Sequence, residues 1–316
     1  MNGERILNSC EYKQGMRLEG QVCLTIGKFD GLHKGHRQLL SAMQKTGLPM
    51  TMLSVSVPGA SELLSQEESA ILAKACGVTT FVRLPLTKEQ KQMSAASFFQ
   101  EICLDACHAC VIVVGENFRF GRDREGDVFL LRTLCEMSGV ECIICPMLAE
   151  DGEDVSSTRL RNLLQEGDIP TLNRLLGYAF PVHGIVCRGK RIGHTLSFPT
   201  VNLCPPAEKL LPPFGVYRTR IRIRERAYDA VTNIGTNPTV QDGLTHEITV
   251  ETHVPGLTAE TYGEEATVSF YEFLRPQRQF NSLEDLKNQL LLDTKAALKG
   301  ATGGTNAEIF PEFFEK

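Results

Sequence analysis

The chain has 316 residues, long enough for two domains, and its 42% apolar and 22% charged residues are the composition of a globular protein. A formal net charge of −5 excludes a broad basic surface for nucleic acid while leaving room for a local anion pocket. The N-terminal stretch has no apolar core of signal-peptide length, and no run of about 18 apolar residues occurs anywhere. A cytoplasmic protein with small-molecule partners and no membrane association is therefore expected, its oligomeric state left open.

From Val22 to about Gly167, short apolar runs alternate with amphipathic segments. VCLTIG leads to HRQLLSAMQ, TMLSVSV to ELLSQEESAILAKAC, FVRLPL to ASFFQEICL, VIVVG to VFLLRTLCEM, and ECIICP to STRLRNLLQEG. That rhythm predicts βαβ units and an α/β fold, a doubly wound parallel sheet with helices on both faces, over residues 1–168. The segment STRLRNLLQEGDIPTLNRLLGY predicts two short helices broken at Gly167 and Pro170, with residues 169–181 as a linker.

Past Gly177 the pattern changes to FPVHGIVCRG, GVYRTRIRIRE, YDAVTNIG, EITVETHV and ATVSFYEFLR. Apolar and polar residues nearly alternate, with Gly, Pro and Asn between runs, which predicts a small antiparallel β-barrel over residues 182–316. In GVYRTRIRIRE the reading places Val216, Thr219, Ile221 and Ile223 on one face among four arginines. NSLEDLKNQLLLDTKAALKG closes the domain as a C-terminal helix, with Asn281 or Ser282 as N-cap, Leu283, Leu286, Leu290 and Ala297 as its apolar stripe, and Gly300 as its stop.

Eleven cysteines include two C-x-x-C pairs, Cys107/Cys110 and Cys142/Cys145. Both pairs lie in or beside apolar runs, which favours buried thiols over a zinc site. The odd count without a secretion signal predicts reduced cysteines throughout.

The first chemical signal is TIGKFDGLHKGH, at the carboxyl end of the first parallel strand, where doubly wound sheets bind ligands. Gly27 and Gly31 allow sharp turns, and Gly35 allows a ring or phosphate close approach to a helix start. His33 and His36, three apart, face one side near unpaired N–H groups, which makes an anion site. SST at 156–158 opens a helix and reads on its own as capping, or as hydroxyls offered to a phosphate. Glu251 on the alternating strand EITVETHV reads on its own as a solvated carboxylate, and Thr200 and Asn202 as strand-end and turn residues.

GKFDGLHKGH closely resembles the G-x-F-D-G-x-H-x-G-H motif of the prokaryotic FAD synthetases, nucleotidyltransferase relatives that carry a riboflavin kinase domain behind. VVGENFRFGRDREGD resembles that family's flavin and nucleotide loop, and VSSTRLR its phosphate-binding S-S-T-x-x-R. CRGKRIGHTLSFPTVN, NIGTNPTV and ETH resemble the riboflavin kinase motifs in the same order. The resemblance implies a bifunctional enzyme: riboflavin and ATP give FMN in the barrel, and FMN with a second ATP gives FAD and pyrophosphate in the α/β domain.

It further implies roles residue by residue. Gly27, Phe29, Asp30, Gly31, His33, Gly35 and His36 would form one wall of the adenylylation site, with Ser157, Thr158 and Arg161 at the leaving diphosphate and Asn117 at the flavin. In the kinase, Glu251 would be the catalytic base, Thr200 and Asn202 would hold Mg²⁺ and ATP phosphates, and Gly189 and Gly193 would bound the nucleotide loop. Arg275, in FLRPQRQF, would lie near the isoalloxazine ring. By strand parity His253 shares the face of Glu251 and reads either as a group beside the base or as an ordinary surface histidine. One departure stands out: the family's Phe-x-Pro-His-Pro element is replaced by SVSVPGASELL. It leaves open a riboflavin kinase whose front domain has lost its chemistry, and behind that a flavin-binding protein without turnover.

Overall fold

The structure is a computed structural model that describes residues 8–188, 200–236, 248–257 and 261–300, without the side chains of Leu283 and Gly300. Its described residues form two compact units. One holds the chain through Glu62 and Ser69–Ser157; the other holds Leu63–Glu68 and everything from Thr158 onward.

The first unit is a six-stranded, all-parallel sheet. Its strands are β1 (Asn8–Glu11), β2 (Val22–Gly27), β3 (Met50–Ser56), β4 (Thr80–Pro85), β5 (Ala109–Gly115) and β6 (Glu141–Cys145), in the order β1-β4-β3-β2-β5-β6. The order reverses between β2 and β5, so the open crevice for a ligand lies at their carboxyl ends. Their facing residues are tied there by the buried Thr25 hydroxyl, which donates to the Val113 carbonyl at 2.8 Å. The expected βαβ rhythm holds: α1 (Lys34–Gln44), α2 (Gln66–Ala75), α4 (Ala95–Ser97) with its continuation, and α5 (Val128–Ser138) fall between strands. The five-residue α3 (Lys88–Gln92) precedes α4.

ASFFQEICL is helical but not a plain α-helix. After one turn, α4 (Ala95–Ser97), it continues as a π-helix over Phe98–Ala106, with Cys107 N–H reaching back to Ile102. Phe98, Phe99, Ile102, Cys103, Ala106 and Cys107 are buried, a spacing of four and five that a widened helix turns onto one face. α2 starts four residues later than ELLSQEESAILAKAC suggests. Ser65 and Glu68 form a capping box: Ser65 Oγ accepts from Glu68 N–H at 3.2 Å, and Glu68 accepts from Ser65 N–H at 2.7 Å.

The hairpin β7 (Ala149–Glu150) and β8 (Glu153–Asp154) leads to α6 (Ser157–Glu166) and then α7 (Ile169–Leu176). Residues 169–181, expected as a linker, thus form α7 and the start of the next strand. That strand opens the second unit's closed six-stranded antiparallel barrel. It comprises β9 (Phe180–Cys187), β10 (Thr200–Leu203), β11 (Gly215–Ile223), β12 (Arg226–Thr236), β13 (Ile248–His253) and β14 (Glu265–Pro276), in the order β10-β13-β12-β11-β14-β9. α8 (Leu283–Gly300) follows, capped by Ser282 Oγ, which accepts from Asp285 N–H at 3.1 Å.

Alternation fixes which side chains fill the barrel. Tyr217, Thr219, Ile221 and Ile223 are buried inside it, with Arg218, Arg220 and Arg222 on the other face. Val216 has the parity of the arginines, so the grouping of Val216 with Thr219 is corrected. It is buried from outside, under α8, with Val231, Ala297 and Leu274. Inside, the hydroxyls of Thr219, Thr232 and Thr252 form a chain with links of 2.8 and 2.9 Å. Asn173 of α7 is buried with both ends of its amide used, donating to Phe270 O and accepting from Phe180 N–H, each at 2.8 Å.

Leu63–Glu68 brings a buried ion pair to this unit. Lys209 Nζ donates to Glu68 Oε2 at 2.7 Å and to Leu63 O at 2.6 Å, with both charged side chains fully buried. Glu68 also accepts from His183 N–H at 2.8 Å, and the ammonium lies 4.2 Å from the centre of the Phe180 ring. Every charge there has partners, which is the condition for burying it.

The expectation of reduced thiols throughout is also corrected: Cys187 and Cys204 form a disulfide, with Cα atoms 6.5 Å apart. Pairing of β9 with β10 sets Cys187 opposite Asn202, and Cys204 lies two residues further on along the returning strand's line. Proximity imposed by the barrel, which a cysteine count does not carry, decides the pairing. Cys107 and Cys145 are buried core thiols, and Cys110 donates to Val22 O at 3.5 Å.

Candidate active sites

The first site begins where β2 ends. Residues 28–33 turn back on themselves with Phe29 at φ 47°, Gly31 at φ 85° and Leu32 at φ 32°. Two non-glycine residues in the left-handed region are costly, and such strain is kept where a loop must present groups to a ligand. Burial holds the loop in place: Phe29 and Leu32 are 3% and 2% exposed. A Cβ at Gly27 would sit 3.3 Å from the Phe29 ring, a tight approach that glycine avoids.

His33 is the N-cap of α1, and its side chain caps nothing. The first-turn N–H groups are therefore left for another acceptor. His33 and His36 stack with ring centroids 3.7 Å apart, and Phe29 meets His36 edge-on at 5.2 Å. Burial lowers His33 to about 4, and burial together with the His33 ring drives His36 well below its ordinary value. Both rings are neutral at pH 7, so they offer N–H groups and lone pairs instead of positive charge. Both Nδ1 atoms are buried without a hydrogen-bond partner among the described residues. A Cβ at Gly35 would stand 3.1 Å from His33 Nδ1 and 3.7 Å from Val155 O, so glycine keeps this cradle open.

Of the other expected residues, Asp30 is buried, and its carbonyl accepts from the Ser157 hydroxyl at 2.9 Å. That bond ties the first helical residue of α6 to the glycine loop. Thr158 and Arg161 follow on α6, Arg161 four residues from Ser157 and so on the same helical face. Asn117 is exposed in the turn after β5, across the strand-order reversal, and its Oδ1 lies 3.4 Å from where a Gly115 Cβ would be. The loop beyond it folds back through paired bonds between Phe120 and Gly126. Gly121, at φ 75°, meets Ala95 too closely for any Cβ. The departing element VPGA is an exposed turn at the end of β3.

The second site is a row across strands. β13 pairs with β10 so that Glu251 is opposite Asn202, and with β12 so that Glu251 is opposite Asn233. Opposite residues share a face. The row continues through Val216 of β11 to Arg275 of β14. This is the outer face, the one α8 covers at Val216. The next row sets His253 between Thr200 and Val231, so Thr200, Asn202, Glu251 and His253 occupy one patch. Asn202 is buried, and Thr200, Glu251 and His253 are half-buried.

Arg275, expected at the flavin ring, pairs with Asp293 of α8: Nε donates at 3.0 Å and Nη2 at 2.6 Å, while Nη1 donates to Pro276 O at 3.0 Å. It anchors α8 beside the row. Gly189 and Gly193, with Lys190 and Arg191, lie outside the described residues. Asn233 went unread in NIGTNPTV, because only pairing shows which asparagine meets Glu251.

The FAD synthetase family model matches residues 16–159, and the riboflavin kinase family model matches residues 176–300. The first match includes the VPGA turn. A bifunctional riboflavin kinase/FMN adenylyltransferase of Escherichia coli (strain K12) is 32% identical over 295 residues, 88% of this chain and 92% of its own. That of Pseudomonas fluorescens is 32% identical over 296 residues, 89% of this chain and 94% of its own. A Streptococcus pneumoniae crystal structure described as a macrolide-efflux protein shares the fold with a TM-score of 0.82 and 25% identity, over 92% of this chain and 98% of that one. Among the described residues no helix is long and apolar enough to cross a membrane. With both family models in order along one chain, and relatives matched over nearly their whole length, this chain belongs to the family of bifunctional riboflavin kinases/FMN adenylyltransferases.

Proposed function

We propose that the barrel unit phosphorylates riboflavin to FMN and the α/β unit adenylylates FMN to FAD, each with its own ATP. Residues 1–168 carry the adenylyltransferase, 169–181 the connection and 182–316 the kinase. The observation that carries the kinase assignment is the strand register, in which Glu251 and Asn202 are direct partners on a face shared with Thr200.

In the kinase step the 5′-hydroxyl oxygen attacks the γ-phosphorus of ATP, the bond to the β–γ bridging oxygen breaks, and ADP leaves. An alcohol is a weak nucleophile, so a carboxylate that takes its proton lowers the barrier. Glu251 has that role. Thr200 and Asn202 offer a hydroxyl and an amide carbonyl, oxygen donors that suit Mg²⁺. When bound there, the ion neutralises phosphate charge. Asn202 and Thr200 also orient the phosphates, and Gly189 and Gly193 bound the loop over them.

In the adenylyl step an FMN phosphate oxygen attacks the α-phosphorus of ATP, and pyrophosphate leaves as the α–β bridge breaks. The nucleophile is already ionised at neutral pH, so no base is needed. The site must align the two reactants and stabilise charge on the transferring group. His33 and His36 do so as neutral donors with the α1 N–H groups, and Ser157, Thr158 and Arg161 receive the pyrophosphate. Phe29, Asp30 and Gly31 shape the loop, and Asn117 contacts the flavin.

Purified protein incubated with riboflavin, ATP and Mg²⁺ yields both FMN and FAD when the flavins are separated. Absence of FMN would end the kinase assignment, and FMN without FAD at high ATP would end the adenylyltransferase one.

A further inference from the structure

Two segments of the α/β unit carry charges that their own local structure disfavours. Lys34 is the first residue of α1, and a cation at a helix N-terminus opposes the positive end of the dipole. Glu150 of β7 lies directly opposite Glu153 of β8, and like charges facing each other across a strand pair destabilise it. Each segment answers the other's charge: Lys34 Nζ donates to Glu150 Oε2 at 3.1 Å and to Oε1 at 3.3 Å, across 116 positions of sequence.

The hairpin held in this way is a stiff piece. Asp151 and Gly152, at φ 61° and 79°, form its two-residue turn, the pair of left-handed residues that a tight hairpin demands. Val155 N–H donates to Leu148 O at 2.8 Å and extends the ladder toward α6. Val155 is buried, and its carbonyl lies 3.7 Å from where a Gly35 Cβ would be. Two residues on, the Ser157 hydroxyl reaches the Asp30 carbonyl at 2.9 Å. The segment from 149 to 157 thus meets the α1 start and its loop through a charged contact at Glu150, a packed one at Val155 and a hydrogen bond at Ser157.

We propose that Lys34 and Glu150 are a positioning pair for the adenylyl step: their clasp holds the hairpin on α1, so that Ser157 stays beside the glycine loop. The inference rests on the adenylylation reading of this site. A partly exposed ion pair contributes little to global stability, whereas a reacting geometry tolerates little displacement, so the pair acts on alignment. In this role neither side chain touches the reacting phosphates, and both act through Ser157.

The test is steady-state FAD formation from supplied FMN and ATP by the full-length protein. Lys34→Met and Glu150→Gln each lower kcat about fivefold and leave KM for ATP and FMN within about twofold. The double variant is no worse than either single one, because the two substitutions break one contact. Lys34→Arg, which keeps the cation, stays within about twofold of the parent. Circular dichroism and FMN formation from riboflavin, unchanged in all four, show that the variants are folded. Single variants equal to the parent would overturn the inference, as would losses that multiply in the double variant. A loss in Lys34→Met carried by KM for ATP, with Glu150→Gln silent, would make Lys34 a phosphate ligand and overturn the clasp. A parent that makes no FAD would end the adenylylation reading itself, and this inference with it.

Discussion

The two sites solve opposite problems with opposite means. At the end of β2 the proposed adenylylation site is built from backbone: a strained loop, an uncapped helix start and two histidines kept neutral by burial. On the barrel the proposed kinase site is built from register, with Asn202 and Glu251 aligned by strand pairing alone. A phosphate nucleophile arrives charged and needs donors, whereas an alcohol arrives neutral and needs a base. The nucleophile, more than the shared use of ATP, decides which residues each unit presents.

The largest effect that separates the two is expected at Glu251. Glu251→Gln lowers FMN formation by about 10³-fold and leaves FAD formation from supplied FMN unchanged. His33→Ala does the reverse, lowering FAD formation by about 10²-fold with normal FMN formation. Equal loss of both activities in either folded variant would erase the division of labour.

Next in size is the framework under the register. Lys209→Met leaves Glu68 buried without its counter-ion and destabilises the kinase unit by about 3–5 kcal/mol, read as a lower urea midpoint for FMN-forming activity. An unchanged midpoint would mean that the pair is not buried as described. Reducing the Cys187–Cys204 disulfide, which closes a 17-residue separation, costs about 3 kcal/mol by the same assay. The α/β unit has no part in that bond, so its FAD-forming midpoint stays put.

Of comparable size is a pH dependence confined to the α/β unit. A histidine of ordinary value 6.5 that falls to about 4 on folding binds protons in the unfolded chain that the folded chain refuses. Stability is therefore complete above about pH 6.5 and is lost progressively down to about pH 4. Urea midpoints read by circular dichroism, measured across that window, fall in the parent and fall less in His33→Asn. A flat profile in the parent would show that His33 is charged in the folded protein.

Much of this was legible in the sequence because it is local. Apolar runs with amphipathic segments between them announce parallel strands, and period-two alternation announces the barrel. What escaped is what only tertiary pairing creates. β1, NSCE, is four exposed residues with no apolar signal, and it exists because β4 offers it a parallel partner. Val216 groups with Thr219, Ile221 and Ile223 in the sequence because apolar residues in a strand look alike until a covering helix is known. Nothing local marks Lys209 or Asp293 for burial; Lys209 is buried against Glu68, 141 positions away, and Asp293 against Arg275 of β14. In the site, motif residues were readable, but the neutrality of His33 and His36 comes from burial and stacking that spacing cannot show. That Asn233 faces Glu251 depends on a register that no motif prints.

The six residues Leu63–Glu68 carry a consequence for modularity. They are encoded in the first quarter of the chain and are built into the unit that the last half completes, with Glu68 and Lys209 separated by 141 positions. A gene fragment cut at the connection would deliver the barrel without the carboxylate that neutralises its inner lysine. On the ribosome, that carboxylate waits for its partner until more than a hundred further residues have been made. The two activities are thus joined by shared material as well as by a peptide link, and evolution could not trade one unit away without first replacing the anion at its core.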